Sequence, residues 1–199
     1  MIRTPLLRPG DTCWRPAPAR RAALLVDGSR YYPAVGRALA RAEHAAWILA
    51  WDLDRRMRLF RDGPPPAGLP QRLGPFLDAL CQRRRGLHLH VLLWDYAMIY
   101  ALEREPLPAL NLGWRSHRRV HFRMDGQHPV GASHHQKVVT VDDAVAFAGG
   151  FDLSKWRWDT PAHRPDDPRR RDPEGRSYMP FHDVQAMVEG EAAAALGEL

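Results

Sequence analysis

The stretch SHHQKVVTVDDAVAFAGGFD, residues 133–152, decides how this sequence is interpreted. Two short runs rich in valine, alanine and phenylalanine lie on either side of the Asp142–Asp143 pair. Such runs predict two short strands that turn at the two aspartates. The Gly149–Gly150 pair that follows gives the backbone freedom to pass close to a bound molecule. The stretch therefore predicts a strand–turn–strand unit that can approach a substrate.

His135 and Lys137, just before the first run, are a pair suited to an anionic substrate. On a strand, residues two apart leave the same face, and His134 and Gln136 point to the other side. A nucleophilic or basic imidazole beside a fixed ammonium suits a phosphate diester, because the histidine attacks or transfers a proton while the lysine neutralises charge on the oxygens. Only two of the 29 lysine and arginine residues are lysine. Lysine is a compact charge and arginine a planar fork, so close approach to one phosphoryl oxygen explains a lysine at this position.

Composition indicates a folded globular chain with a basic surface. The 199 residues are 45% hydrophobic and carry a formal net charge of +6, which favours phosphate esters, nucleic acid or acidic lipid surfaces as partners. An ordinary solvated surface in an arginine-biased sequence is the alternative, and the arginine runs at 83–85 and 169–171 are interpreted in this way. Cys13 and Cys81 form no disulfide framework or zinc pattern. We find no signal peptide and no membrane span, and expect a soluble cytoplasmic chain that can contact a membrane surface.

Strand and helix patterns alternate along the chain, which predicts an α/β fold with a mixed, partly parallel sheet flanked by helices. The predicted helices lie at about residues 32–42, 73–81 and 97–104, and the predicted strands, besides the pair in the opening stretch, at 46–51, 87–95, 120–124 and 183–190. We divide the chain into an N-terminal arm, residues 1–25, and one lobe, residues 26–199. Within the lobe, residues 158–180 are rich in proline, arginine and aspartate and predict a long loop. The last residues begin a helix without an end signal, so we expect the natural chain to continue beyond Leu199.

The spacing of the motif residues resembles the signature of the phospholipase D superfamily. It runs from His135 to Lys137 two residues later, then four residues to Asp142, six to Gly149–Gly150 and one to Asp152. A histidine and a lysine two apart are common by chance, but the whole pattern at this spacing is specific.

The resemblance extends over most of the chain. Residues 26–53 resemble the opening strand–helix–strand of the catalytic lobe, 156–163 resemble a Gly-Arg-Trp-Asp segment, and 178–193 are similar to a Pro-Trp-His-Asp-Val segment. Two residues depart from the family pattern: Trp156 stands where glycine is usual, and Phe181 replaces tryptophan.

The resemblance implies a role for each residue of the motif. His135 would be the nucleophile that forms a covalent phosphohistidine, and Asp183 would accept a hydrogen bond from its second nitrogen. Lys137 and Asp152 would border the phosphate, with Asp152 orienting Lys137, because a carboxylate cannot donate to an oxygen unless it is protonated. Asp142, also placed in the catalytic motif, would anchor its backbone. The remaining residues assigned to the substrate pocket are Trp51, Gly149, Gly150, Trp158, Asp159 and His182.

No metal or other cofactor is needed for this chemistry. His134, His135 and His163 have no further ligands at a recognisable metal-binding spacing. A structural pairing of Arg157 with Asp159 is the alternative to substrate contact.

These roles predict a phosphodiesterase or transphosphatidylase that acts on phospholipids. The alternatives are a cardiolipin-synthase-like phosphatidyl transferase, a nuclease, and a non-catalytic lobe that binds phosphate or anionic lipid. The resemblance implies two facing motifs, and this chain has one. We therefore expect a second lobe as partner, in the same full-length chain or in a homodimer, and little activity from these residues alone. An anionic membrane surface is a further candidate partner, and nucleic acid is not expected.

Overall fold

The computed structural model describes residues 5–95, 113, 115–129 and 132–199, which form seven strands and three helices. The strands are β1 (Arg21–Val26), β2 (Ala45–Ala50), β3 (His88–Trp94), β4 (Val120–Asp125), β5 (Val138–Val141), β6 (Val145–Gly149) and β7 (Val184–Glu189). The helices are α1 (Gly28–Leu39), α2 (Leu73–Arg83) and α3 (Glu191–Gly197). The helix predicted at residues 97–104 lies outside the described residues. Among the helices that are described, none is long and apolar enough to cross a bilayer.

All seven strands belong to one mixed sheet, in the order β1-β7-β6-β5-β2-β3-β4. β2, β3 and β4 are parallel neighbours, and every other neighbouring pair is antiparallel. The prediction of an α/β fold with a partly parallel sheet is confirmed. The predicted pair of short strands is also confirmed, as β5 and β6 joined by a turn at Asp142–Asp143.

The main core lies between one face of the sheet and helices α1 and α2. Tyr31, Val35 and Leu39 lie on one stripe of α1 and are fully buried, as the helical spacing predicts. Phe147 of β6 joins them, with its ring centroid 5.9 Å from that of Tyr31. The small residue Ala146, which alternates with Phe147 and so points to the other face, is fully buried near α3.

The first strand begins before the predicted start of the lobe. Residues 21–26 form β1, although the predicted boundary assigns 21–25 to the N-terminal arm. β1 pairs with β7 at the edge of the sheet, and Arg20 and Arg21 each form an ion pair with Glu189. An edge strand with little burial has no strong apolar alternation, so its sequence signal is weak.

Residues 158–180 contain no helix or strand, in agreement with the predicted loop. The interpretation of the arginine run 169–171 as a solvated face is wrong for its central member. Arg170 is only 1% exposed, because its guanidinium pairs with Asp159 at 3.0 Å and donates to the carbonyls of Arg164 and Pro165. A buried arginine therefore holds separate parts of this loop together, since its partners all lie within residues 158–180.

Candidate active site

All the motif residues except Asp142 gather at one end of the strands of the sheet. β1, β2, β3, β4 and β6 reach this end with their carboxyl ends, and β5 and β7 reach it with their amino ends. Residues that follow the first group or precede the second therefore converge, although they are distant in sequence. The carboxyl ends of strands in open α/β sheets are a common place for ligand sites.

His135 and Lys137 lie in the segment that precedes β5, and not on the strand, because β5 begins at Val138. The prediction that both lie on a strand is wrong. The Lys137 side chain turns inward, so that its Nζ lies 3.2 Å from Oδ2 of Asp152 and donates to the His135 carbonyl at 3.3 Å. The His135 side chain remains exposed. The two side chains thus differ in burial, while the lysine nitrogen stays beside the His135 backbone.

Asp152 holds Lys137 from inside the protein. Asp152 is only 2% exposed, and its Oδ1 accepts hydrogen bonds from the backbone N–H groups of Trp51 at 3.0 Å and Asp52 at 3.2 Å. Burial raises the pKa of the Asp152 carboxyl above its ordinary value, and attraction to Lys137 opposes this shift. A carboxylate fixed on both oxygens is positioned to orient the ammonium.

An aromatic wall borders this pair. The Trp51 ring centroid lies 5.9 Å from Lys137 Nζ and 6.1 Å from the His135 ring, which it meets edge-on. Trp94, the last residue of the neighbouring strand β3, stacks on Trp51 at a centroid distance of 5.7 Å. The structure therefore brings Trp51 to the two motif residues, and adds Trp94, which the sequence analysis did not assign to the site.

Asp142 lies at the opposite end of β5, so the length of this strand separates it from Lys137 by roughly 15 Å. Its carboxylate accepts the backbone N–H groups of Glu43 at 2.7 Å, His44 at 2.9 Å and Ala45 at 2.8 Å. Burial alone would raise the pKa of Asp142, but these three donors lower it below its ordinary value. The structure does not bring Asp142 to His135, and its contacts fasten the β5–β6 turn to the start of β2.

The glycine pair lies where the backbone passes between β5 and β7. A side chain at Gly149 would collide with the backbone of Val184, and one at Gly150 would collide with the Asp183 carboxylate. No hydrogen bond joins His135 to Asp183 among the described residues. The Asp183 Oδ1 instead accepts the backbone N–H of Val184 at 2.8 Å. Asp183, the expected partner of His135, thus lies at the same end of the sheet as His135, but its carboxylate binds the backbone of β7.

A second group of side chains, Asp27, His163 and His182, lies at the same end near β1 and β7, and we call it the Asp27 cluster. Asp27 is fully buried, and its Oδ1 lies 2.7 Å from Nδ1 of His182. Its Oδ2 lies 3.3 Å from Nε2 of His163 but has no partner in hydrogen-bonding geometry. One carboxylate and two imidazoles within 4.8 Å of one another are able to hold a metal ion. The sequence spacing around His163 gave no sign of these ligands, because the fold supplies them from distant segments.

The contacts of Asp159 and Trp158 stabilise the fold. Asp159 is fully buried and accepts hydrogen bonds from the backbone of Thr160 and Phe181, as well as from Arg170. Trp158 is 2% exposed and belongs to the main core. These contacts favour the structural alternative for this segment, with Arg170 and not Arg157 as the ion-pair partner of Asp159.

Comparison with known proteins identifies the family of this chain. No protein-family model matches the chain. Phospholipase D2 of Bos taurus is 30% identical over 155 residues, which cover 75% of this chain and 15% of that protein. Phospholipase D B of Dictyostelium discoideum is 26% identical over 195 residues, 84% of this chain and 16% of that protein. Nuc of Salmonella typhimurium, a phospholipase D family member of known structure, superimposes with a TM-score of 0.53 at 13% identity, over 89% of this chain and 91% of Nuc. The chain belongs to the phospholipase D superfamily.

Within the superfamily, the chain corresponds to a small part of its curated relatives. It spans 12–16% of the lengths of three such relatives, two from Dictyostelium discoideum and one from Bos taurus. Phosphatidylserine synthase of Haemophilus influenzae, at 12% identity and a TM-score of 0.54, shares the fold over 89% of this chain and 36% of its own.

The departure from the family pattern at Trp156 has a physical explanation. Its φ is 63°, in the left-handed region where glycine is favoured. The tryptophan is held there because its Nε1 donates to Asp172 at 3.2 Å and because Lys155 lies 4.2 Å from its ring centroid. Trp156 thus adopts a backbone conformation typical of glycine, and its side-chain contacts stabilise that conformation.

Proposed function

We propose that this lobe supplies one half of an active site that cleaves phospholipid phosphodiester bonds through a covalent phosphohistidine on His135. The observation that carries the proposal is the buried Lys137–Asp152 pair beside an exposed histidine. A fixed ammonium next to a solvent-accessible imidazole suits attack on phosphorus, because it neutralises charge on the non-bridging oxygens as the transition state forms.

The proposed reaction has two steps. A nitrogen of His135 attacks phosphorus, the bond from phosphorus to the alcohol oxygen breaks, and the alcohol leaves after it takes a proton. Water or a second alcohol then attacks the phosphohistidine and frees His135. Asp183 would stabilise the charged imidazole, which requires its carboxylate to turn from the Val184 N–H toward His135.

The leaving alcohol needs an acid on the far side of phosphorus. We propose that a second phospholipase D lobe supplies this acid, either within a longer chain or across a homodimer. The single motif in this chain and the small share of its relatives that it spans support this arrangement.

The test compares substrates and oligomeric states. Choline release from phosphatidylcholine and cleavage of an oligonucleotide are measured with the 199-residue chain as a verified monomer and at concentrations where it self-associates. We expect negligible turnover by the monomer and lipid cleavage by a two-lobe assembly. Rapid turnover by the monomer would contradict the half-site. Oligonucleotide cleavage alone would establish the nuclease alternative, and phosphate binding without turnover in any assembly would establish a non-catalytic lobe.

A further inference from the structure

A cleft lined by arginines lies between the β2–α2 connection and the long loop before β7. Its volume is about 350 Å³, and we call it the arginine cleft. Its charged lining consists of Arg56, Arg58, Arg61, Arg72, Arg169, Arg171 and the single carboxylate Asp172. None of His135, Lys137 and Asp152 lines it, so it is separate from the motif residues.

Two of these arginines are neutralised by carboxylates of the protein. Arg56 lies 2.7 Å from Asp54 and 2.5 Å from Glu174. Arg169 lies 2.6 Å from Asp167 and forms several hydrogen bonds with it, and these bonds lower the pKa of Asp167 to about 2. These ion pairs hold the walls of the cleft in place without using its remaining charges.

The other four arginines, Arg58, Arg61, Arg72 and Arg171, have no carboxylate partner within the described part of the chain. Arg61 and Arg171 donate only to peptide carbonyls, at 2.6 Å and 3.0 Å, and the buried Nε of Arg61 has no acceptor. The lone carboxylate of Asp172 accepts hydrogen bonds from the Arg176 backbone and the Trp156 ring. The cleft therefore keeps an excess of positive charge.

Arg58 and Arg72 face each other across an isolated antiparallel bridge. The N–H of Leu59 donates to the Gln71 carbonyl at 2.9 Å, and that of Leu73 donates to the Met57 carbonyl at 3.0 Å, which fixes the two backbones side by side. Residues in such positions have Cβ atoms about 5 Å apart, and like charges directly opposite are destabilising.

An anion bound between the two side chains would attract both guanidinium groups and offset the repulsion between them.

The unpaired guanidinium groups of the cleft are suited to binding phosphate. A guanidinium fork matches two oxygens of a phosphate group, and several unpaired forks around one cleft match a ligand with more than one phosphate. We propose that the arginine cleft binds clustered phosphate groups, at a site separate from His135 and Lys137. The ligand is either a soluble polyphosphate or the headgroups of an anionic lipid surface, which share this chemistry. The proposal does not depend on the catalytic function proposed above.

The first test measures binding of inorganic pyrophosphate to the 199-residue chain by calorimetry at two salt concentrations. We compare the wild type with Arg58→Gln/Arg72→Gln and with the control Arg37→Gln/Arg41→Gln, which removes two exposed charges from and just beyond α1. We expect the first pair to weaken binding by about tenfold or more and the control pair to leave it nearly unchanged. Circular dichroism verifies that both variants are folded.

The second test identifies the source of the phosphates. Co-sedimentation is measured with vesicles of phosphatidylcholine alone and of phosphatidylcholine mixed with phosphatidic acid. Binding to the acidic vesicles that is lost in Arg58→Gln/Arg72→Gln indicates a lipid surface, and pyrophosphate binding without vesicle binding indicates a soluble ligand. Equal weakening by both double variants, or no binding to either probe, would overturn the proposal.

Discussion

Replacement of Asp142 by asparagine separates an anchoring role from a catalytic one. The carboxylate of Asp142 accepts three backbone N–H groups, of which two are exposed and one is half-buried. Water replaces the lost acceptor at exposed donors, so each bond contributes about 0.5–1 kcal/mol, and their sum is about 2 kcal/mol. Asparagine keeps one oxygen and tolerates the φ of 49°, so we expect Asp142→Asn to lower the free energy of unfolding by about 1 kcal/mol.

Alanine at this position should cost more. It loses all three bonds and is strained in the left-handed conformation, so Asp142→Ala is expected to lower the free energy of unfolding by about 3 kcal/mol. The matched control is Asp143→Asn, which removes the same charge from the same turn at a φ of 52°. Asp143 is exposed and accepts no backbone N–H from the described residues, so its replacement should change stability by less than about 0.5 kcal/mol.

The assay is urea unfolding followed by tryptophan fluorescence, together with turnover per folded molecule in the active two-lobe assembly. We expect Asp142→Asn to keep wild-type turnover, because Asp142 lies a whole strand away from His135. The donors lower the pKa of Asp142 in the folded state, so its contribution is present above the reference value of 3.8 and is lost as the pH falls through the folded pKa. The stability gap between wild type and Asp142→Asn should therefore close in acid. Wild-type stability combined with loss of turnover would refute the anchoring role.

Three further predictions concern the site itself. Lys137→Arg should lose most turnover despite its unchanged charge, because the planar fork places its donors differently from the single ammonium that Asp152 holds; near wild-type rates would show that any cation suffices. Asp183→Asn should fold normally and lower turnover by orders of magnitude, whereas a rate within about twofold of the wild type would mean that another acid supports His135. Treatment of the proposed two-lobe assembly with EDTA should leave turnover unchanged, since the proposed steps need no metal. If EDTA abolishes turnover, and added metal restores it in the wild type but not in His163→Ala, a metal would instead be assigned to the Asp27 cluster.

The sequence predicted those features that depend on local pattern. β2 to β7 have apolar runs that identify them, and the spacing from His135 to Asp152 is a local motif. The turn at Asp142–Asp143 was equally readable, because two adjacent polar residues separate two apolar runs. The prediction of an α/β sheet followed from the alternation of these patterns, and the structure confirms it.

The features that the sequence did not predict depend on contacts between distant segments. The Asp27 cluster joins the end of β1 to the long loop and the start of β7, and no spacing rule connects these three places. Arg170 is a different case: it is buried within its own loop, although it lies in an arginine run, because Asp159 and three peptide carbonyls satisfy its guanidinium. Asp152 was expected to orient Lys137, and their 3.2 Å ion pair supports this role, but strand alternation did not indicate that the Lys137 side chain points inward.

The most direct test of the central claim is the identity of the residue that carries phosphate during turnover. The active two-lobe assembly is mixed with a phospholipid labelled at phosphorus, quenched rapidly and digested, and the labelled peptide of this lobe is sequenced by mass spectrometry. We expect label on His135 in the wild type, and in His135→Ala we expect neither label on this lobe nor turnover. Label on a different residue of this lobe, or turnover that persists in His135→Ala, would contradict the central claim.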